Sequence, residues 1–274
     1  MNILLTAQQS EKTEAAAWTD MVAAASEEYK TSTGLDIDVI DSDMYISCPA
    51  IPFIHFNCVL GFGTNQPVSE SYVDKLLTYF KERNLSTVYL FLIDGLHKEA
   101  QKILEAKGLV PVGNWERIYR DDKPLDKTLN TLQQGWQIAK VDSTTADAWA
   151  SFVSGTYQMP VTKEWLFNFA VREGWHHYML MDTTGIVAVR SIFIGRDNMA
   201  FWGVEAPIPG LMTNNFQMDF ALSHHIVQEG LQMGVKGFTG DIEMVSDTGD
   251  TPAYTNFKAL GFSIPYRRKI YKLK

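Results

Sequence analysis

The chain has 274 residues, of which 46% are hydrophobic and 20% charged, with a formal net charge of −8. This is ordinary globular composition, which excludes a disordered or fibrous chain. The acidic balance argues against a general binder of nucleic-acid phosphates, which needs clustered Lys and Arg.

The length allows one large domain or two smaller ones. Cys48 and Cys58 are the only cysteines and lie in one apolar segment, so no disulfide framework is expected and the cytoplasm is the default location. Met1 to Lys12 lacks the pattern of a signal peptide. The most apolar run, Cys48 to Phe62, is broken by Pro49, Pro52, His55 and Asn57. No stretch reaches the roughly 18 uninterrupted apolar residues of a membrane span.

In chain order, Ala-rich Glu14 to Tyr29 predicts a helix, and Ile37–Ile46 and Pro52–Phe62 predict strands. Gly61-Phe62-Gly63 reads as a tight turn before a helix over Glu70–Arg83, since Gln66 stands where a dinucleotide fingerprint has its third glycine. A strand over Ser86–Ile93, a helix over His97–Lys107 and a strand over Asn114–Tyr119 complete the first half. A polar segment from Pro124 to Gly135 reads as a linker, which predicts domains over 1–123 and 136–274. The second half predicts a strand over Trp136–Val141, helices over Thr144–Gln158 and Lys163–Arg172, and a hairpin of His177–Met181 with Ile186–Ile194. A strand over Met199–Glu205 leads through a Pro- and Gly-containing loop into a helix over Asn214–Gly234. A helix over Pro252–Leu260 and a strand over Ser263–Lys272 close the chain.

The halves end alike: Ala106-Lys107-Gly108-Leu109 with Ile118-Tyr119 is echoed by Ala259-Leu260-Gly261-Phe262 with Ile270-Tyr271. Both also carry the same alternation of strands and helices, so the chain reads as two copies of one α/β unit.

Several chemistries lack their motifs: there is no His-Glu-x-x-His, Cys-x-x-Cys, Gly-x-Ser-x-Gly or Gly-Lys-Ser/Thr. His176-His177 sits at a strand start and His224-His225 on a helix, where neighbouring side chains diverge, so no metal ligation is expected. Cys58 reads as core rather than a thiol nucleophile. Glu205, near the end of an apolar strand, reads equally as a general base or as a solvated strand end. Tyr254 offers a phenolic proton or satisfies one buried hydrogen bond. Asn256 reads as binding a ligand amide or capping local backbone. Asp241 and Glu243, two apart on a strand, line a pocket or face water.

The ending Tyr254-Thr-Asn256-Phe-Lys-Ala-Leu-Gly261-Phe262, together with Gly174-Trp175-His176-His177-Tyr178, resembles the GNAT superfamily of N-acetyltransferases. In the first half, Phe56-Asn57-Cys58-Val59-Leu60-Gly61-Phe62-Gly63 and Asn114-Trp115 are similar to tandem GNAT proteins. The resemblance implies an α/β (α+β) fold of two GNAT-like domains, each a mixed, mostly antiparallel sheet flanked by helices, the first divergent. It also implies acetyl-CoA as co-substrate, seated where two central strands splay apart, with its pyrophosphate at the N-terminus of the following helix. Carried onto this chain, Val204, Glu205 and Ala206 position the thioester, and Thr213, Asn214, Asn215, Phe216 and Gln217 surround the pyrophosphate. Asn256 contacts the cofactor, Glu205 is the base and Tyr254 the acid. The acceptor is an amine of a small molecule or peptide, with neither nucleic acid nor membrane as partner. Two departures stand out: Asn214 to Asp219 contains no glycine, and the usual tyrosine position holds Phe257, one helical turn from Tyr254. The alternative is a catalytically inactive GNAT-like protein that binds a metabolite or protein partner.

Overall fold

The computed structural model describes residues 3–85, 87–126, 132–207, 216–243 and 252–273. The chain divides into two compact units: unit 1 is Met1–Arg117, Asp241–Met244 and Ile264–Lys274, and unit 2 is Ile118–Gly240 and Val245–Ser263.

Unit 1 opens with α1 (Ile3–Ala23) and α2 (Glu27–Thr33) where one helix over Glu14–Tyr29 was expected. The break is chemical: Ser26 takes an extended conformation, and its hydroxyl accepts the Tyr29 N–H and starts a new helix. The expected strand Ile37–Ile46 is a hairpin of β1 (Asp36–Ile40) and β2 (Asp43–Ser47). Its turn residues, Asp41 and Ser42, both have positive φ, 53° and 74°, the conformation that matches the strand twist but is usually signalled by glycine. β3 (Cys58–Leu60) is shorter than the expected Pro52–Phe62. The preceding loop is held by Asn57, whose Oδ1 accepts the Cys48 N–H and whose Nδ2 donates to the Ile51 carbonyl. Then come α3 (Glu70–Glu82), β4 (Tyr89–Ile93), α4 (Ala100–Ala106) and β5 (Leu109–Asp121). β2 and β3 are antiparallel, β3 and β4 parallel.

The sheet of unit 1 is buried on both faces, and period-two alternation sorts its side chains. Tyr45, Val59, Leu90 and Leu92 pack with Leu76, Phe80 and Leu104 of α3 and α4. Met44, Ile46, Leu60 and Phe91 pack with Trp115 and Ile270, against Ala15 and Trp18 of α1. Cys58 belongs to the second cluster, and burial pushes its thiol well above its usual range, so it is an apolar core residue. The His55 ring stacks on Trp18.

The last strand, β11 (Ser263–Leu273), pairs antiparallel with β4. The strand order in unit 1 is therefore β1-β2-β3-β4-β11-β5, and the residues from Ile264 onward lie in unit 1 rather than with 136–274. Buried charge accompanies this placement. Arg117 Nη2 on β5 donates to Glu11 at 2.8 Å and Glu14 at 2.5 Å, and Arg268 Nη1 on β11 donates to Glu14 at 2.9 Å. Arg268 also pairs with Asp241, and the Tyr266 hydroxyl donates to Glu11. Asp241 is thus committed to a buried ion network and not to a pocket wall; the Glu243 side chain lies outside the described residues.

Unit 2 has β6 (Gln137–Lys140), α5 (Ala146–Thr156), α6 (Lys163–Phe169), β7 (Trp175–Asp182), β8 (Gly185–Ile194) and β9 (Met199–Pro207). It continues with α7 (Phe216–Gln232), β10 (Gly237–Glu243) and α8 (Pro252–Ala259). Strand order is β10-β9-β8-β7-β6. All pairs are antiparallel except β9 with β10. Each unit thus has two helices, a hairpin, a third antiparallel strand, a helix and a parallel strand, so the chain is a repeat as expected, though of a longer element order than the alternation of single strands and helices.

Candidate functional site in unit 2

β9 and β10 pair in parallel only at Met199↔Gly237, Ala200↔Phe238 and Phe201↔Thr239. β9 runs on to Pro207, so beyond Phe201 it no longer has β10 as a ladder partner. On its other side the register jumps from Ile192↔Trp202 to Arg190↔Glu205. Ser191 therefore faces two residues, Gly203 and Val204, and β9 carries a bulge there. A bulge takes a backbone N–H out of the ladder and re-aims it, which is why bulges recur beside active sites. Glycine is required at the bulge: a Cβ on Gly203 would lie 2.5 Å from the Trp175 ring. Gly240 on β10 is equally constrained, since its Cβ would lie 2.6 Å from that of Trp202.

Beyond the last paired residues, on the face covered by α7 and α8, lies a buried polar cluster. Arg190, the one charged residue in the apolar strand β8, pairs through Nη2 with Asp219 in the first turns of α7. Its Nη1 lies 2.8 Å from Glu205 Oε2 on β9. Asn256 on α8 donates from Nδ2 to Asp219 Oδ2 at 2.8 Å. The guanidinium also stands 5.6 Å from the Trp202 ring and 5.8 Å from Phe257. Burial opposes charge on Arg190, but Asp219 and Glu205 outweigh that and raise its pKa. Trp202 meets Phe257 and Phe262 edge to face.

The structure brings Glu205 and Asn256 into this cluster: Glu205 half-exposed and paired with Arg190, Asn256 buried and bonded to Asp219. Val204 belongs to the bulge, and Ala206 is buried beyond it. Tyr254 is buried on α8, with a hydroxyl that no described residue hydrogen-bonds. Gln217 is exposed, and its Oε1 accepts from Gln133. Phe216 opens α7 through its backbone, while its side chain, and Thr213, Asn214 and Asn215 entirely, lie outside the described residues. The Tyr157 hydroxyl donates to the Glu205 carbonyl and ties the end of α5 to the end of β9.

Sequence reasoning gave Asp219 no partner and passed over Arg190. The signal was a single arginine in an otherwise apolar strand, Gly185-Ile-Val-Ala-Val-Arg-Ser-Ile-Phe-Ile194, because such a charge must have a partner. His177 is packed among Trp149, Phe169 and Trp175, with Nδ1 2.7 Å from Ser191 Oγ, and burial pushes it down to about 3. It is a neutral core residue. Among the described residues no three His, Cys, Asp or Glu side chains are grouped to hold a metal ion, and no helix is long and apolar enough to cross a membrane.

No protein-family model and no curated protein matches the sequence. Solved structures do. A GCN5-related N-acetyltransferase from Kribbella flavida superposes with a TM-score of 0.63 at 10% identity, over 96% of this chain and 95% of that one. Another from Sphaerobacter thermophilus gives 0.63 at 13% identity over 90% and 85%. A tandem GNAT protein from the clavulanic acid biosynthesis pathway gives 0.54 at 13% identity over 77% and 69%. At these identities the likeness is one of architecture, and with the repeated element order it establishes that this chain has the tandem GNAT fold.

Proposed function

We propose that unit 2 transfers an acetyl group from acetyl-CoA to an amine of a small molecule or peptide. The observation that carries this reading is the parting of β9 from β10 after three paired residues, with the bulge at Gly203–Val204 beside it. In this reading the thioester lies beyond the last ladder pair, and a backbone N–H of the bulge meets its carbonyl oxygen. Such a fixed donor stabilises the oxyanion that develops as the amine attacks. Glu205, at the end of the same strand, takes a proton from the amine, which attacks only when neutral. Tyr254, buried and with its hydroxyl uncommitted, protonates the leaving thiolate.

A second reading has its own observation. Arg190 Nη2 and Asn256 already hold the Asp219 carboxylate at the start of α7, so in this reading the cleft holds its own charges and the chain serves as a binding module. Calorimetric titration with acetyl-CoA and CoA separates the two. Micromolar binding by the wild type supports the transferase. Binding seen only after Phe216→Gly, which restores a glycine near the start of the helix, supports the module.

A further inference from the structure

The half-exposed end of the Arg190 cluster carries more charge than it needs. One guanidinium faces two carboxylates, and the two are held very differently. Asp219 is buried, with a side-chain exposure of 3%, and is gripped by both Arg190 and Asn256. Glu205 has a side-chain exposure of 46% and touches Arg190 only through Nη1. That contact is close but poorly aligned: Arg190 Nη1 is buried and makes no directed hydrogen bond. A buried guanidinium nitrogen without an aligned acceptor favours a carboxylate that meets it squarely, because the planar fork binds carboxylates best with two parallel N–H···O bonds. Glu205 sits on a strand whose register with Arg190 is set by the ladder, and its carbonyl is tied to Tyr157. Its side chain is therefore the movable member.

We propose that Arg190 is the carboxylate-docking residue of the acceptor site, and that the acceptor is a zwitterionic amine of the amino-acid class. Its carboxylate replaces Glu205 at Arg190 Nη1, and the displaced Glu205 receives its ammonium group. This deepens the transferase reading and rests on it. Charge stays balanced: a zwitterion adds no net charge to a cluster that already carries one surplus negative charge. The exchange also readies the base, since Glu205 leaves Arg190 only when an ammonium is present to take. The ammonium gives one proton to Glu205 and its nitrogen lone pair forms the C–N bond as the C–S bond of the thioester breaks. The thiolate takes the Tyr254 proton, and the second proton on nitrogen restores the tyrosine.

The test is calorimetry of the full chain with glycine and β-alanine as zwitterions, ethylamine as an amine without a carboxylate, and acetate as a carboxylate without an amine. The wild type should bind at least one zwitterion about tenfold or more tighter than ethylamine or acetate. Glu205→Gln, a change at a half-exposed position, should tighten acetate binding severalfold because Arg190 is released, and should abolish the preference for the zwitterion. Ethylamine binding as tightly as glycine and β-alanine, acetate affinity unchanged in Glu205→Gln, or no binding of any probe would each overturn the proposal. Acetyl-CoA is titrated separately: this pattern of binding without acetyl-CoA binding rejects the transferase while leaving the Arg190 site in place.

Discussion

At the scale of single residues, function and stability turn on buried groups whose charge the fold opposes or enforces. Asp43 is fully buried on β2, and burial pushes it up to about 7, opposed by the Asn65 and Gln66 side chains and reinforced by the Asp41 and Glu11 charges. The native state therefore keeps this proton to about pH 7, whereas the unfolded chain loses it near its ordinary value of 3.8. Between those values the native state binds more protons, so stability falls as pH rises. Asp43→Asn should be close to wild type in stability at pH 4 and more stable at pH 8, by up to about 4 kcal/mol. Urea midpoints at the two pH values check this, and equal differences at both would contradict it. On the transferase reading, Tyr254→Phe should lower acetyl transfer about 10- to 100-fold with acetyl-CoA affinity nearly unchanged, because that reading assigns the hydroxyl to the leaving group. Unchanged turnover would remove Tyr254 from the mechanism.

Single elements show how far local sequence carries. Hydrophobic periodicity located α3, β4, β8 and β11 to within a few residues, because those segments bury a regular face and their ends carry ordinary signals. It missed the hairpin at Asp41-Ser42, where two non-glycine residues hold positive φ, and it merged α1 with α2 across Ser26. It also placed the start of α1 too late. The first half of that helix carries Glu11, whose inward direction makes sense only once Arg117 and Arg268 are known to face it. Burial alone would raise Glu14, but the two arginines override it and hold Glu14 at about 2. Its contribution to stability is complete above pH 4.5 and is lost as pH falls toward 2. Glu14→Gln should cost about 3–5 kcal/mol near neutral pH, the usual loss when one partner of a buried ion cluster is removed. Thermal or urea denaturation measures it, and a loss under about 1 kcal/mol would show that the cluster relaxes around the change.

For the whole molecule, the return of the chain to unit 1 is decisive. The polar stretch 124–135 looks like a domain boundary, yet unit 1 needs Asp241–Met244 and Ile264–Lys274. A fragment of residues 1–123 would lack Arg268 and Asp241, leaving Glu11 and Glu14 with Arg117 as their sole buried cation from the network. It would also lack β11, leaving β4 without that ladder partner. Expressed alone, it should be unfolded by far-ultraviolet circular dichroism and rapidly proteolysed, whereas the full chain is folded. A cooperatively melting 1–123 fragment would refute this dependence.

By itself the sequence determined the class of the fold, its two-copy construction and the strand that carries the candidate site. Those follow from periodicity, turn residues and a repeated ending, all of which are local. Glu205, Tyr254 and Asn256 were legible as candidates from residue type and element, and Val204 only through the GNAT resemblance. Only the tertiary structure decided their partners. Arg190 and Asp219 are 29 residues apart in the chain and Asn256 a further 37, and no local pattern encodes contacts at that separation. The same holds for Arg117 and Arg268, which meet the acids of α1 across more than a hundred residues. Buried charge is where sequence reasoning stops, because the cost of burying an ion is set by whichever distant group comes to stand opposite it.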